Sequence, residues 1–61
     1  MCEANAYLFK DGTEELFLEA VDIVENDGGE LRIVNIYGEQ KVMRGTIRSM
    51  SLVNHRIVLE E

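Results

Sequence analysis

From Ala4 to Lys10 apolar residues stand on both sides of an alternating pattern, with Ala4, Ala6 and Leu8 on one face and Asn5, Tyr7 and Phe9 on the other. A period of two is the signature of an extended strand, and apolar residues on both faces predict a strand covered on both sides, from about Glu3 to Lys10. Asp11-Gly12-Thr13 then turns the chain, since Asp-Gly between apolar runs is the strongest short-range hairpin signal. A second strand is expected over roughly Glu15 to Val24. Leu16, Leu18 and Ala20 share a side, after which the pattern shifts phase to Val21, Ile23 and Val24, leaving Glu19 and Asp22 for solvent. Such a slip within one strand predicts a bulge or sharp bend. A helix over Thr13–Ile23 is the competing reading, because Thr13 followed by Glu14, Glu15 and Leu16 resembles a helix start. Val21, Ile23 and Val24 are β-branched and no helix stop follows, which favours the strand.

Asp27-Gly28-Gly29 marks the next turn. The third strand, about Glu30 to Tyr37, alternates Leu31, Ile33, Asn35 and Tyr37 against Arg32, Val34 and Ile36. The fourth is expected over Gln40 to Leu52, with Val42, Met43 and Ile47 as its apolar positions, Arg44, Thr46 and Arg48 outward, and Gly45 as a bend. Val53-Asn54-His55 forms a turn, and a last strand from Arg56 to Glu60 points Ile57 and Leu59 inward. Short strands joined by tight turns predict an all-β fold, a small SH3-like or Sm-like antiparallel β-barrel of five or more strands. The bent second strand serves two sheets in such a barrel.

The chain has 61 residues, which predicts one small domain over residues 1–61. A chain of this size buries only about 60% of the surface its unfolded form exposes, so a disulfide, a metal or self-association is usually needed. Cys2 is the single cysteine, so no internal disulfide is available. Strands with two apolar faces are most simply covered by a twofold homodimer, with Tyr7, Phe9, Val34, Ile36 and Val58 as the expected contact positions. No apolar run reaches membrane-spanning length and no leader pattern is evident, so a cytoplasmic protein without membrane contact is expected.

The formal charge of −6 argues against indiscriminate binding to nucleic acid or an anionic membrane. It is unevenly spread. Residues 1–30 carry nine acids and one base; residues 31–59 carry Arg32, Lys41, Arg44, Arg48 and Arg56 against Glu39 alone. The basic half keeps open an RNA-binding reading, in which Arg32, Arg44, Arg48 and Arg56 form a face with Tyr37 as a stacking platform.

Catalytic constellations are missing from the pattern. Ser49 and Ser51 have no base nearby, the paired glutamates read as solvated charge, and no glycine-rich phosphate loop leads into a helix. A non-enzymatic protein is expected. The chemistry that stands out is at the start. A thiolate is a soft ligand that favours nickel, copper(I) and zinc. At Cys2 it lies beside a free terminus, so the terminal amine of Met1, if that residue is retained, and the Cys2 amide nitrogen can join the sulfur in a chelate. With Met1 removed, the Cys2 amine and thiol form a five-membered ring by themselves. His55 can reach this end if the first and last strands pair.

The start Met1-Cys2-Glu3-Ala4-Asn5, the early hairpin, the Tyr37-Gly38-Glu39-Gln40-Lys41 segment and the closing Arg56-Ile57-Val58-Leu59-Glu60 together resemble the CooT family over the full chain. Those are nickel-binding proteins linked to maturation of the nickel-containing carbon monoxide dehydrogenase. The resemblance implies Ni(II) as the bound metal, Cys2 as its ligand, and a nickel enzyme as client. Relatives in that family have also been labelled RNA-binding, which coincides with the alternative above.

Overall fold

The computed structural model describes residues 4–61. Six strands make up almost all of this span: β1 (Ala4–Lys10), β2 (Thr13–Asp27), β3 (Glu30–Asn35), β4 (Gln40–Arg44), β5 (Thr46–Ser51) and β6 (Arg56–Glu60). The described residues contain no helix, so the helical reading of Thr13–Ile23 is not realised. The strands lie in one sheet in the order β4-β3-β2-β1-β6-β5. The fold is all-β and barrel-like, with a sheet that curves without closing.

Turn chemistry sets the first two hairpins. Asp11 and Gly12 take φ of 54° and 80°, and Gly28 and Gly29 take 60° and 90°. Both pairs therefore form two-residue turns whose twist matches the strands they join.

β2 is longer than expected and carries the predicted bend. Its partners in β1 step from Tyr7↔Leu16 to Ala6↔Leu18 and then to Ala4↔Val21, skipping residues of β2 each time. Opposite β3 the register slips again between Val21 and Ile23. These bulges explain the phase change in the apolar pattern. Leu18, Ala20 and Val21 are all buried, whereas Leu16 shares the outer face with Tyr7 and is 57% exposed, so its expected place beside Leu18 is corrected. Ala20 adopts φ of 56° at the bend, a conformation unusual for a residue with a Cβ. Its peptide groups are nevertheless satisfied: its N–H donates to Asn5 Oδ1 at 3.2 Å, and its carbonyl accepts the Ile36 N–H at 3.0 Å.

The expectation of purely antiparallel pairing is also corrected. β1 and β6 pair in parallel, from Asn5↔Arg56 to Phe9↔Glu60. The reason is parity. β4 and β5 are two halves of one ribbon bent at Gly45, so the chain reverses four times between β1 and β6 and returns to its starting direction. Gly45 also carries the chain from one margin of the sheet to the other, and its N–H donates to the Gly29 carbonyl at 3.2 Å.

The core consists of Ala6, Leu18, Val21, Leu31, Ile33, Ile57 and Leu59, with Ala4, Leu8, Phe17, Val24 and Met43 packed against it. Two arginine side chains lie over the second apolar face, on β1 and β6, where Tyr7 and Phe9 stay half-buried. The Arg56 guanidinium lies 4.5 Å from the Tyr7 ring centroid and that of Arg48 4.0 Å from the Phe9 ring. Val58, which pairs with Tyr7 across the β1–β6 ladder, is 5% exposed. Lys41 reaches from β4 to β2, where its Nζ donates to the Phe17 carbonyl at 2.8 Å. Asn35 is the one buried polar residue among those described. Its Oδ1 accepts the N–H groups of Tyr37 and Glu39 at 3.1 and 2.8 Å, and its Nδ2 donates to Glu39 Oε1 at 2.7 Å, which secures the turn into β4.

Candidate metal centre at the start of the first strand

The proposed ligands Cys2 and Met1 lie outside the described residues. What the structure describes is the end of the sheet to which they are joined. Parallel pairing of β1 with β6 sets the start of β1 beside the turn that precedes β6, and the Asn5 N–H donates to the His55 carbonyl at 2.9 Å. His55 therefore stands next to the beginning of β1, as a pairing of first and last strands requires. It adopts φ of 54° and is exposed.

Ala4 and His55 also line a common cavity of about 260 Å³, together with Val21, Asp22, Val24, Met50, Leu52 and Ile57. Val21 and Ile57, which belong to the core, form part of its wall. Its walls are apolar, with Asp22 and His55 as the polar exceptions. Among the described residues no three His, Cys, Asp or Glu side chains converge in a way that could hold a metal ion.

The arginines of the basic half are mostly engaged. Arg32 is ion-paired with Glu25 and donates to Gln40 Oε1 at 3.0 Å. Arg48 contacts Glu60 at 3.0 Å in addition to its stack on Phe9, and Arg56 is ion-paired with Glu14 in addition to Tyr7. Arg44 is exposed and stands opposite Glu30 across the β3–β4 ladder. Arg32 and Arg44 belong to the β3–β4 end of the strand order, Arg48 and Arg56 to the β6–β5 end. Tyr37 is 68% exposed in the turn before β4.

Sequence reasoning did not find the cavity or the role of Met50 and Leu52 in lining it. Their local signal was present: three apolar residues, Met50, Leu52 and Val53, flank a turn where polar residues are the rule.

An all-β sheet of bent strands, with an apolar cavity at the end where β1 starts, defines a small β-barrel-like domain. Comparison with known proteins specifies which. Residues 1–60 match the family model of the CO dehydrogenase accessory protein CooT, and the chain belongs to that family. It is 32% identical over 60 residues to the uncharacterized protein MJ1551 of Methanocaldococcus jannaschii, covering 98% of each chain. Among solved structures, it is similar to a crystal structure of a candidate CooT from Carboxydothermus hydrogenoformans. The TM-score is 0.92 at 43% identity, covering 98% of this chain and 97% of the other.

Proposed function

We propose that this protein binds nickel(II) through Cys2 at a homodimer interface and holds or delivers it during maturation of a nickel enzyme such as carbon monoxide dehydrogenase. The observation that carries the reading is the family match, which runs from residue 1 and so includes Cys2. The chemistry of the donors fits. A cysteine thiolate with backbone and terminal amine nitrogens makes a strong-field set that nickel(II) accepts in square-planar form, a geometry that zinc, with its tetrahedral preference, does not favour. One thiolate cannot fill four positions, so two chains each contribute Cys2, with the Met1 amine as a further donor where that residue is retained. The protein acts in the cytoplasm and catalyses no reaction of its own.

The test is Cys2→Ser. Nickel titration of the unmodified protein should produce a thiolate-to-nickel charge-transfer band at one ion per two chains. The variant should lack the band and keep its strand-type circular dichroism. Unchanged nickel affinity in the variant would falsify the site.

A further inference from the structure

Among the described residues β4 has one neighbour in the sheet, β3, and forms a margin. Two backbone hydrogen bonds fix which of its peptide groups β3 uses. The Asn35 N–H donates to the Glu39 carbonyl at 3.0 Å, and the Gly45 N–H to the Gly29 carbonyl at 3.2 Å. Between them the register runs unbroken from Val34↔Gln40 to Glu30↔Arg44. Bonded and non-bonded pairs alternate in an antiparallel ladder, so Lys41 and Met43 turn their N–H and C=O toward β3. Gln40, Val42 and Arg44 turn theirs to the open side, and their side chains share the outer face with Val34, Arg32 and Glu30. Edge strands are normally protected by charge or by bulges, because unpaired backbone invites another chain. β5, at the other margin, has a register shift between Ile47 and Ser49; β4 has none. Lys41 gives β4 little protection. Its Nζ is drawn onto Phe17, donating to the carbonyl at 2.8 Å and lying 4.8 Å from the ring centroid. Val42, in the middle of the strand, is 54% exposed. Of the six Lys and Arg side chains, Lys10, Arg32, Arg48 and Arg56 are paired with Glu61, Glu25, Glu60 and Glu14. Arg44 is left without an ion pair among the described residues, and it stands on this edge.

We propose that β4 takes up an extended segment of another protein as a further antiparallel strand, with an acidic residue opposite Arg44 and an apolar residue opposite Val42. The inference goes beyond the nickel reading and does not depend on it. Backbone supplies the contact, since an added strand pairs the outward N–H and C=O groups of Gln40, Val42 and Arg44. Side chains set the sequence. In antiparallel pairing the partner meets Arg44, Val42 and Gln40 in its own N-to-C order at every second position, so its pattern is acid, any, apolar, any, polar. Charge selects the acid. The rows across the outer face run Asp27–Glu30–Arg44 and Glu25–Arg32–Val42. A base beside Arg44 meets a like charge, whereas an acid gives Arg44 the carboxylate that each of the other arginines has. A second copy of this chain fits less well. Paired about Val42 on a twofold axis, it sets Gln40 opposite Arg44 and brings no acid. An oligonucleotide can offer a phosphate to Arg44 but leaves the peptide groups of β4 unpaired.

The test is a nuclear magnetic resonance titration of the full chain with the capped heptapeptide Ser-Glu-Val-Val-Thr-Thr-Ser, whose central valine falls opposite Val42 and whose glutamate falls opposite Arg44. In the free protein the amide protons of Gln40, Val42 and Arg44 should exchange quickly with solvent and those of Lys41 and Met43 slowly. The peptide should shift and protect the first three. N-methylation of its central valine removes the donor to the Val42 carbonyl and should abolish binding, while N-methylation of the preceding valine, whose N–H points away, should leave it. Arg44→Glu should weaken binding ~10-fold, and a peptide with lysine in place of glutamate should restore it. Arg44 is exposed, and unchanged resonances elsewhere verify that the variant stays folded. No binding at millimolar peptide, equal effects of the two N-methylations, or no rescue by the lysine peptide overturns the proposal. Protection of the same three amides in the protein alone, rising with its concentration, gives the edge to a second copy and also overturns it. Cys2→Ser should bind the peptide unchanged, so the outcome is read separately from that of the nickel site.

Discussion

Gly45 is the position at which a single methyl group should do the most damage. The residue sits at the bend between β4 and β5 with φ of 155°. A Cβ built there falls against the Glu60 carbonyl, well inside van der Waals distance of the oxygen and 3.0 Å from the carbonyl carbon, with Met43 Cε at 2.9 Å. Met43 can swing away, but Glu60 is backbone in β6 and is held to Phe9 on one side and Thr46 on the other. Relieving the overlap therefore means moving a strand. Overpacking of this kind costs about 1–3 kcal/mol, and an unfavourable φ adds about 1–3 kcal/mol more. The sum, roughly 2–6 kcal/mol, is comparable to the ~3–9 kcal/mol expected for the whole of a chain this small. Gly12→Ala is the matched control: φ is +80° but nothing lies within 4 Å of the added atom, so only about 1–2 kcal/mol of backbone strain applies. Urea unfolding followed by circular dichroism at one fixed protein concentration separates the two. Gly12→Ala should lower the midpoint modestly, and Gly45→Ala should be largely unfolded before denaturant is added. If Gly45→Ala is no less stable than Gly12→Ala, the close packing of the bend on β6 is wrong, and with it the account of how β4 and β5 reach opposite margins.

Three further outcomes are expected. Asn35→Ala removes the acceptor for the Tyr37 and Glu39 N–H groups and should destabilise by ~2–3 kcal/mol, read from the same urea titrations. Nickel affinity should fall as pH is lowered, because protons compete with the metal for the thiolate; extending the chain ahead of Met1 should also weaken binding if the Met1 amine is a ligand, and isothermal titration across pH measures both. Single-stranded RNA should bind weakly and lose affinity as salt rises, since Arg32, Arg48 and Arg56 are already paired with carboxylates; tight binding that survives moderate salt, seen by fluorescence anisotropy, would reverse this ranking of functions.

Local pattern was sufficient for most of the strands, because period-two alternation and Asp-Gly or Gly-Gly turns act over a few residues. β6 spans Arg56–Glu60 as expected, Gly45 bends the fourth ribbon, and the slip after Ala20 is a bulge. Order alone singles out Cys2 as the one cysteine, and its role as a metal ligand is a proposal. Leu16 was misplaced because a bulge changes the facing of every residue beyond it, and only pairing with Tyr7 reveals where the extra residue falls. The parallel β1–β6 ladder, which carries His55 to the start of β1, depends on how many times the chain reverses. The cover on Tyr7 and Phe9 is likewise a tertiary result, since Arg56 and Arg48 are 49 and 39 residues distant along the chain. Alternation told that β1 has two apolar faces. That Arg56 and Arg48 lie over the outer one was decided by long-range packing, because periodicity records that a face must leave water and not what it meets.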